Sequence, residues 1–185
     1  MYAVVGYLDK QTEQNVKSIG NELFEQNITD YATGEQGYRP HITFASFEEI
    51  DVKVFATELE LYFSNCKQIQ LTFPSLGIFL NTGILYLAPR VSESLLHFHK
   101  NFHDAIEPFK DGGNSLYSPE NWVPHCTITA YLNQEQLLKA VEHCNGAITP
   151  LKGTISEVGL IKVNFNDEDK VTGELLSVIS LKEDS

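Results

Sequence analysis

Apolar positions along the chain change their spacing several times, which indicates alternating strands and helices. Residues 2–8 form a short apolar run typical of a strand, and residues 11–26 carry apolar side chains at the spacing of one helical face. Both patterns recur further along the chain. They predict helices over 52–63, 92–109 and 133–144, a hairpin of strands over 67–80 and 83–89, and later strands over 153–165 and 173–181.

Two further predicted strands carry the same short motif. The sequence PHIT occupies 40–43 and PHCT occupies 124–127, within strands at about 39–47 and 123–131. Because side chains alternate along a strand, each histidine shares a face with the threonine two residues later. The face predicted for the first strand comprises His41, Thr43, Ala45 and Phe47, and that for the second comprises His125, Thr127, Thr129 and Tyr131.

The motif belongs to a larger repeat. The segments SLGIF (75–79) and EVGLI (157–161) lie 82 positions apart, close to the 84 positions that separate the two motifs. A nearly constant offset across motif, helix and hairpin indicates that a whole lobe is duplicated. We therefore predict one α+β domain over 1–185 with interleaved lobes, two antiparallel sheets facing across a pseudo-twofold cleft, and helices outside.

Composition and charge narrow the classes of protein. Hydrophobic residues make up 42% of the chain, and no stretch approaches the roughly 20 apolar residues that span a bilayer. The first residues show neither a basic leader nor a cleavage site, so we expect a cytoplasmic protein. We also expect a monomer with no membrane partner. A net charge of -12 disfavours long duplex nucleic acid, although a short phosphorylated end could enter a local pocket. The three cysteines form no CxxC pair, and we expect reduced thiols.

The two motifs together have the chemistry of a phosphodiester-opening site. Facing lobes would bring His41 and His125 into one cleft, where a neutral imidazole can act as base and a protonated one as acid. The hydroxyls of Thr43 and Thr127 could donate to the non-bridging phosphate oxygens. The structural alternative is that duplication copied two core or surface histidines, as would be expected of a single histidine on a strand.

The paired PHIT and PHCT, about eighty residues apart in a bilobal repeat, resemble the 2H phosphoesterase superfamily over essentially the whole chain. The general layout is most similar to the branch of 2′-5′ RNA ligase-like proteins, to which cyclic phosphodiesterases are related. The resemblance implies metal-independent chemistry at 2′,3′-cyclic phosphates or 2′-5′ linkages, without a cofactor. It implies that His41 and His125 are acid and base and that Thr43 and Thr127 bind phosphate. A non-catalytic module that binds a nucleotide or RNA end in the same cleft is the alternative.

Three other residues are candidates for substrate binding. Many RNA ligase-like members carry an arginine shortly after the second motif, whereas this chain has Ala130 and Tyr131 there. The substrate and the direction of any ligase reaction therefore stay open. Arg39 could reach the cleft or lie exposed, and Phe47 and Tyr131 could stack on a base or pack between the lobes.

Other chemistries are less well supported by the sequence. His97, His99 and His103 lie on one predicted helix, and the last two could share a zinc ion, but no further ligand completes a set. Strand alternation separates the Cys126 thiol from His125, which argues against a thiol nucleophile. The polar, Gly-containing loop over 110–121 could be a flap over the site or a plain connection.

Overall fold

The structure is a computed structural model that describes residues 1–30, 39–109, 115–165 and 171–183. These residues form eight strands, four α-helices and one short 3-10 turn at Glu107–Phe109. In chain order the elements are β1 (Tyr2–Leu8), α1 (Lys10–Glu25), β2 (His41–Phe47), α2 (Val52–Phe63), β3 (Ile69–Phe73), β4 (Ser75–Phe79), β5 (Ile84–Ala88), α3 (Glu93–Ala105), β6 (Cys126–Thr129), α4 (Gln134–Ala147), β7 (Leu151–Phe165) and β8 (Val171–Ser180).

The strands form two antiparallel sheets, which confirms the predicted α+β class. The larger sheet has the order β2-β1-β7-β3, and β8 also pairs with β7. The smaller sheet has the order β4-β5-β6. Among the strands in the described part of the chain, each motif strand is therefore at the end of its sheet, next to one partner strand.

The helices begin where side chains can satisfy their free amide groups. The Asp9 carboxylate caps α1 by accepting from the Thr12 backbone N–H at 3.0 Å, and it also accepts from the Thr154 N–H of β7 at 2.8 Å. Hydrogen bonds of this kind lower the pKa of Asp9 although partial burial of the carboxylate opposes the shift. One acidic side chain thus fixes both the start of α1 and its position on the larger sheet.

The predicted strand over 67–80 is two strands that belong to different sheets. Pro74 interrupts it, since proline has no N–H to donate to a sheet ladder. Before Pro74, β3 pairs with β7 in the larger sheet; after it, β4 pairs with β5 in the smaller one. The sheet that contains the second motif strand is consequently built from β4 and β5 of the first half of the chain.

The order of elements repeats along the chain. The series β1, α1, β2, α2 and β3–β4 is followed by β5, α3, β6, α4 and β7. In the sheets, β7-β1-β2 corresponds to β4-β5-β6, so each motif strand has an equivalent neighbour. The sequence analysis paired the hairpin of β4 and β5 with the last two strands, β7 and β8. In the structure, β5 instead begins the second repeat and corresponds to β1 of the first.

One hydrophobic core joins both sheets to the helices. Its largest fully buried side chains come from β2, from α2, from β3 and from α3, and the members include Phe44, Phe55, Phe63, Phe73 and Phe102. Burial of several aromatic rings between the sheets and helices makes this cluster the main source of hydrophobic stabilisation. Within the described ranges, no helix combines the length and the apolar character needed to cross a membrane.

Candidate active site

The imidazoles of the two motif histidines are anchored in the same way. The Nδ1 atom of His41 lies 2.8 Å from the Arg39 carbonyl oxygen, and that of His125 lies 2.7 Å from the Val123 carbonyl oxygen. In each case the acceptor lies two residues earlier, across the motif proline. Because a carbonyl can only accept, Nδ1 carries the proton in both rings, and Nε2 of the neutral ring carries the lone pair that can take up a proton.

The two motif strands lie against each other. The buried thiol of Cys126 lies beside the His41 backbone, so the first residues of β2 and β6 meet. A positive charge on His125 also lowers the pKa of His41, as expected for two imidazoles within electrostatic reach. The structure therefore places His41 and His125 within electrostatic reach of each other. Burial raises the pKa of the Cys126 thiol to about 12, which fits a core residue rather than a nucleophile.

Both histidines favour the neutral form. Desolvation is the largest cause that lowers the pKa of each from the usual 6.5. The carbonyl contacts oppose this shift in both rings. For His41, repulsion from a protonated His125 and from Arg39 lowers the pKa further. The repulsion between the two imidazoles is mutual, whereas Arg39 is not among the causes that shift the pKa of His125. The two sites are alike in geometry and unlike in electrostatics.

Each motif strand carries a bulge directly after its threonine. Strand β1 pairs Val5 with Thr43 and Val4 with Ala45, so it skips Phe44. Strand β5 pairs in the same way with β6: Tyr86 faces Thr127 and Leu85 faces Thr129, so that Ile128 is skipped. A bulge adds one residue to one strand and reverses the faces that the following side chains occupy.

The bulges leave the histidine and threonine of each motif half-buried on one face and bury the residues that follow. Phe47 is 4% exposed, and its ring centroid lies 4.9 Å from that of Phe55 in α2. The prediction that Phe47 stacks on a base was therefore wrong, because simple alternation does not continue through the bulge. Thr129 is also buried, and its hydroxyl shares a 2.9 Å hydrogen bond with that of Thr29.

Tyr131 follows the second motif strand rather than belonging to it. The strand ends at Thr129, and Tyr131 has φ of 63° with 46% of its surface exposed. A non-glycine residue rarely adopts this left-handed conformation. Gly83 opposes it with φ of 65°, and the Leu132 N–H donates to the Gly83 carbonyl at 3.0 Å. The turn places the Tyr131 ring on the surface, where its stacking role stays a prediction.

Arg39 is held in a network instead of pointing freely into the cleft. Its guanidinium donates to Glu13 at 2.8 Å and to Glu157 at 2.6 Å, and it lies 4.0 Å above the ring of Tyr7. These ion pairs raise the pKa of Arg39 although desolvation opposes the shift. A substrate phosphate would have to displace two carboxylates to reach this guanidinium, and the substrate-binding role of Arg39 stays a prediction.

Two tyrosines flank the histidines in equivalent positions, and the sequence analysis missed both. The rings of Tyr7 and His41 are 6.2 Å apart edge to face, and those of Tyr86 and His125 are 5.4 Å apart. Each tyrosine lies over the glycine of a repeated segment: a Cβ on Gly159 would fall 2.5 Å from the Tyr7 ring, and a Cβ on Gly77 would clash with the Tyr86 ring. The repeat of SLGIF and EVGLI was the available signal.

The two buried histidines of α3 contact one backbone carbonyl of the first motif strand. His99 and His103 both direct Nε2 to the Phe44 carbonyl, at 3.0 Å and 2.9 Å. His97 of the same helix is exposed. Burial and the neighbouring His103 lower the pKa of His99 to about 4. No group of three or more metal-ligating side chains occurs in the described ranges.

The segment before the second motif also contacts the first motif strand. Of the loop predicted over 110–121, residues 110–114 lie outside the described part of the chain. From Ser115 onward it forms a series of turns. The Trp122 indole donates to the Thr43 carbonyl at 2.9 Å, and the Tyr117 phenol lies near the Thr43 side chain. No pattern in the sequence indicates these contacts.

The chain matches one family and several solved folds. The model of the 2′-5′ RNA ligase superfamily matches residues 37–166. The structure is similar to E. coli LigT complexed with 3′-AMP, at 15% identity and a TM-score of 0.60, with 97% of both chains covered. It is also similar to a Thermus thermophilus protein, TT0787, at 12% identity and a TM-score of 0.60, with 100% of this chain and 99% of that chain covered. No curated protein sequence matches the chain significantly.

We expect the substitution Arg39→Gln to act mainly on stability. It would leave the buried Glu13 carboxylate without its ion-pair partner, at a cost of about 2 kcal/mol in the free energy of unfolding. Denaturant unfolding at neutral pH would measure this, with Lys139→Gln, which removes the exposed pair to Glu135, as a control of little effect. Unchanged stability combined with weaker binding of inorganic phosphate would show instead that Arg39 contacts the substrate.

Proposed function

Because the chain belongs to the 2′-5′ RNA ligase superfamily, we propose that it is a metal-independent phosphodiesterase of the 2H type. Its proposed substrates are 2′,3′-cyclic phosphates and 2′-5′ linked nucleotides or short RNA ends. The observation that carries this proposal is the matched anchoring of the His41 and His125 imidazoles by backbone carbonyls. That arrangement gives two Nε2 atoms suited to proton transfer, the requirement of an acid–base pair.

The proposed reaction balances one proton taken against one proton given. Neutral imidazole Nε2 of one histidine accepts a proton from water as the water oxygen bonds to phosphorus. The bond from phosphorus to the ribose oxygen breaks in line, and the other histidine gives its Nε2 proton to that oxygen. The Thr43 and Thr127 hydroxyls donate to the non-bridging oxygens, where charge accumulates in the transition state. The product is a phosphomonoester.

We assign the base to His41 and the acid to His125. The surroundings of His41 resist a positive charge more strongly, because desolvation is joined by repulsion from Arg39. His125 has no such cation among the causes that lower its pKa. When the pair holds one proton, His125 is therefore the favoured carrier. The two apparent pKa values nevertheless belong to the coupled pair.

The phosphate-binding role of the cleft is supported by a relative. E. coli LigT has crystal structures with 3′-AMP and with phosphate, and its fold is similar to that of this chain. A net charge of -12 and the engagement of Arg39 by two carboxylates favour a small, singly charged phosphodiester over a polyanion. These observations provide probes for the first experiment, since 3′-AMP and inorganic phosphate are simple ligands.

We expect turnover of a panel of 2′,3′-cyclic nucleotides and 2′-5′ dinucleotides to persist in excess EDTA. His41→Ala and His125→Ala should each lower kcat by about 10²–10⁴, the usual contribution of a general acid or base. His97→Ala, an exposed histidine on α3, provides the matched control. Phosphate binding without turnover of any substrate would favour the non-catalytic binding module, and loss of activity in EDTA would contradict the proposal.

The acid and base can be separated with an activated leaving group. A p-nitrophenyl phosphodiester of a nucleoside releases a phenolate that needs no proton, so it bypasses the general acid. We expect His125→Ala to recover most of its lost activity on this substrate and His41→Ala to recover none. Steady-state kcat/KM on the activated and cyclic substrates measures the effect. The opposite pattern would exchange the two roles, and equal losses on both substrates would contradict a division of labour.

The pH dependence should reflect the lowered pKa values of the pair. The reactive form holds one proton, which is lost as the pH rises through the higher apparent pKa. Since desolvation moves both histidines below 6.5, kcat/KM should peak below pH 6.5 and fall above it. Rates from about pH 4 to about pH 9, with thermal unfolding followed over the same range, would test this. A rate that keeps rising above neutral pH would contradict it.

A further inference from the structure

Trp122, the only tryptophan of the chain, links the two motifs. It precedes Val123, whose backbone carbonyl accepts from Nδ1 of His125 at 2.7 Å. The Trp122 indole N–H donates to the Thr43 carbonyl of β2 at 2.9 Å, and its backbone N–H donates to the Ser118 carbonyl at 2.9 Å. Both hydrogen-bond donors of Trp122 are therefore engaged, one by the first motif strand and one by the turns that precede it.

The segment over 122–125 leads into the second motif outside any strand. In the described chain it has no helix or strand, and β6 begins its pairing with β5 at Cys126. The Val123 carbonyl is therefore positioned by its neighbours in the chain rather than by a ladder of strand hydrogen bonds. Because a hydrogen bond is directional, the indole contact with Thr43 restricts where this carbonyl, one residue later, can point.

The His99 ring restrains the plane of the indole. The two rings stack with centroids 3.7 Å apart and planes 1° from parallel. His99 is 1% exposed, and its Nε2 lies 3.0 Å from the Phe44 carbonyl, the next carbonyl after the one that accepts from the indole. Burial lowers the pKa of His99 to about 4, so the stacked ring is neutral at neutral pH. Contacts with α3 and β2 thus restrain both the plane and the direction of the Trp122 ring.

We propose that Trp122 is a positioning residue that places the imidazole of His125 relative to the first motif. The indole joins the Thr43 backbone to the residue before Val123, and the Val123 carbonyl in turn holds His125. This inference rests on the proposed function of the cleft. It assigns to one side chain the spacing between the phosphate-binding threonine of the first motif and the proton-transfer histidine of the second.

Because the chain has one tryptophan, biosynthetic incorporation of a tryptophan analogue changes Trp122 alone. Benzothienylalanine replaces the indole N–H by sulfur and keeps the size and stacking surface of the ring, whereas 5-fluorotryptophan retains the N–H and is the matched control. We expect the benzothienyl protein to lose roughly tenfold in kcat on cyclic substrates, the effect of one lost positioning hydrogen bond, with little change in KM. The fluorotryptophan protein should keep the wild-type kcat, and thermal unfolding would compare the stability of both.

The activated p-nitrophenyl substrate tests whether the loss acts through His125. The ratio of kcat/KM on the activated and cyclic substrates should change in the same direction in the benzothienyl protein and in His125→Ala, since both disturb the same group. In a His125→Ala background the analogue should have almost no further effect on kcat. A different response of the two proteins to the leaving group, an equal effect in both backgrounds, or wild-type kinetics would overturn the inference.

Imidazole ¹⁵N NMR gives a readout that does not need turnover. In the benzothienyl protein we expect the His125 ring signals to shift because its carbonyl partner is less restrained, while those of His41, held by the Arg39 carbonyl, shift much less. Equal shifts of both rings would show a general rearrangement and contradict positioning.

The NMR readout also separates this inference from the proposed function. A selective shift of His125 in a protein that turns over no phosphodiester would support positioning and refute the enzyme. Turnover of the cyclic substrates with unshifted His125 signals would refute positioning and retain the enzyme. Unshifted signals and no turnover of any substrate would refute both.

Discussion

The bulge at Phe44 is the constraint on which the arrangement of the site depends. Because β1 skips this residue, its backbone carbonyl is available to His99 and His103. Its side chain enters the core, where the ring lies against Phe98 and over Gly6, at which a Cβ would fall 2.5 Å from the ring. A single unpaired residue thus joins the core, the edge of the sheet and the residue next to it, Thr43. The equivalent bulge at Ile128 reverses the faces of β6 in the same way.

Exchange of strands between the sheets makes the two halves of the chain interdependent. At Pro74 the chain leaves the larger sheet for the smaller one. The equivalent place in the second repeat is Ser156, which β1 skips as it pairs with β7. At this position the first repeat has two separate strands, β3 and β4, whereas in the second repeat β7 continues through an irregularity in its pairing with β1. Neither motif strand therefore has a sheet made solely from its own half, and each depends on strands from the other half of the chain.

Local patterns in the sequence predicted the helices and strands. They did not predict contacts between residues that are far apart in the chain. Helix α2 has the predicted bounds, because its apolar face and the Asp51 cap are encoded within a few residues. The sequence analysis did not predict the bulges, because one added residue in a strand cannot be recognised in an alternating pattern of apolar and polar positions. The partners of Arg39 lie 26 and 118 positions away, on α1 and β7. Only the folded chain brings such carboxylates together, so a sequence motif could not reveal the ion pairs of Arg39.

Duplication supplies two histidines that are anchored in the same way, and the substitutions between the copies make their surroundings unequal. The carbonyl that accepts from each histidine belongs to Arg39 in the first repeat and to Val123 in the second. The backbone contact is the same, but only the first brings a guanidinium near its imidazole. His125 instead has the Phe79 ring 4.7 Å away, which desolvates it without adding charge. A symmetric pair would share a proton equally between two orientations of the substrate. In the proposed reaction, an unequal pair favours one placement of the proton, and with it one direction in which a phosphodiester is opened.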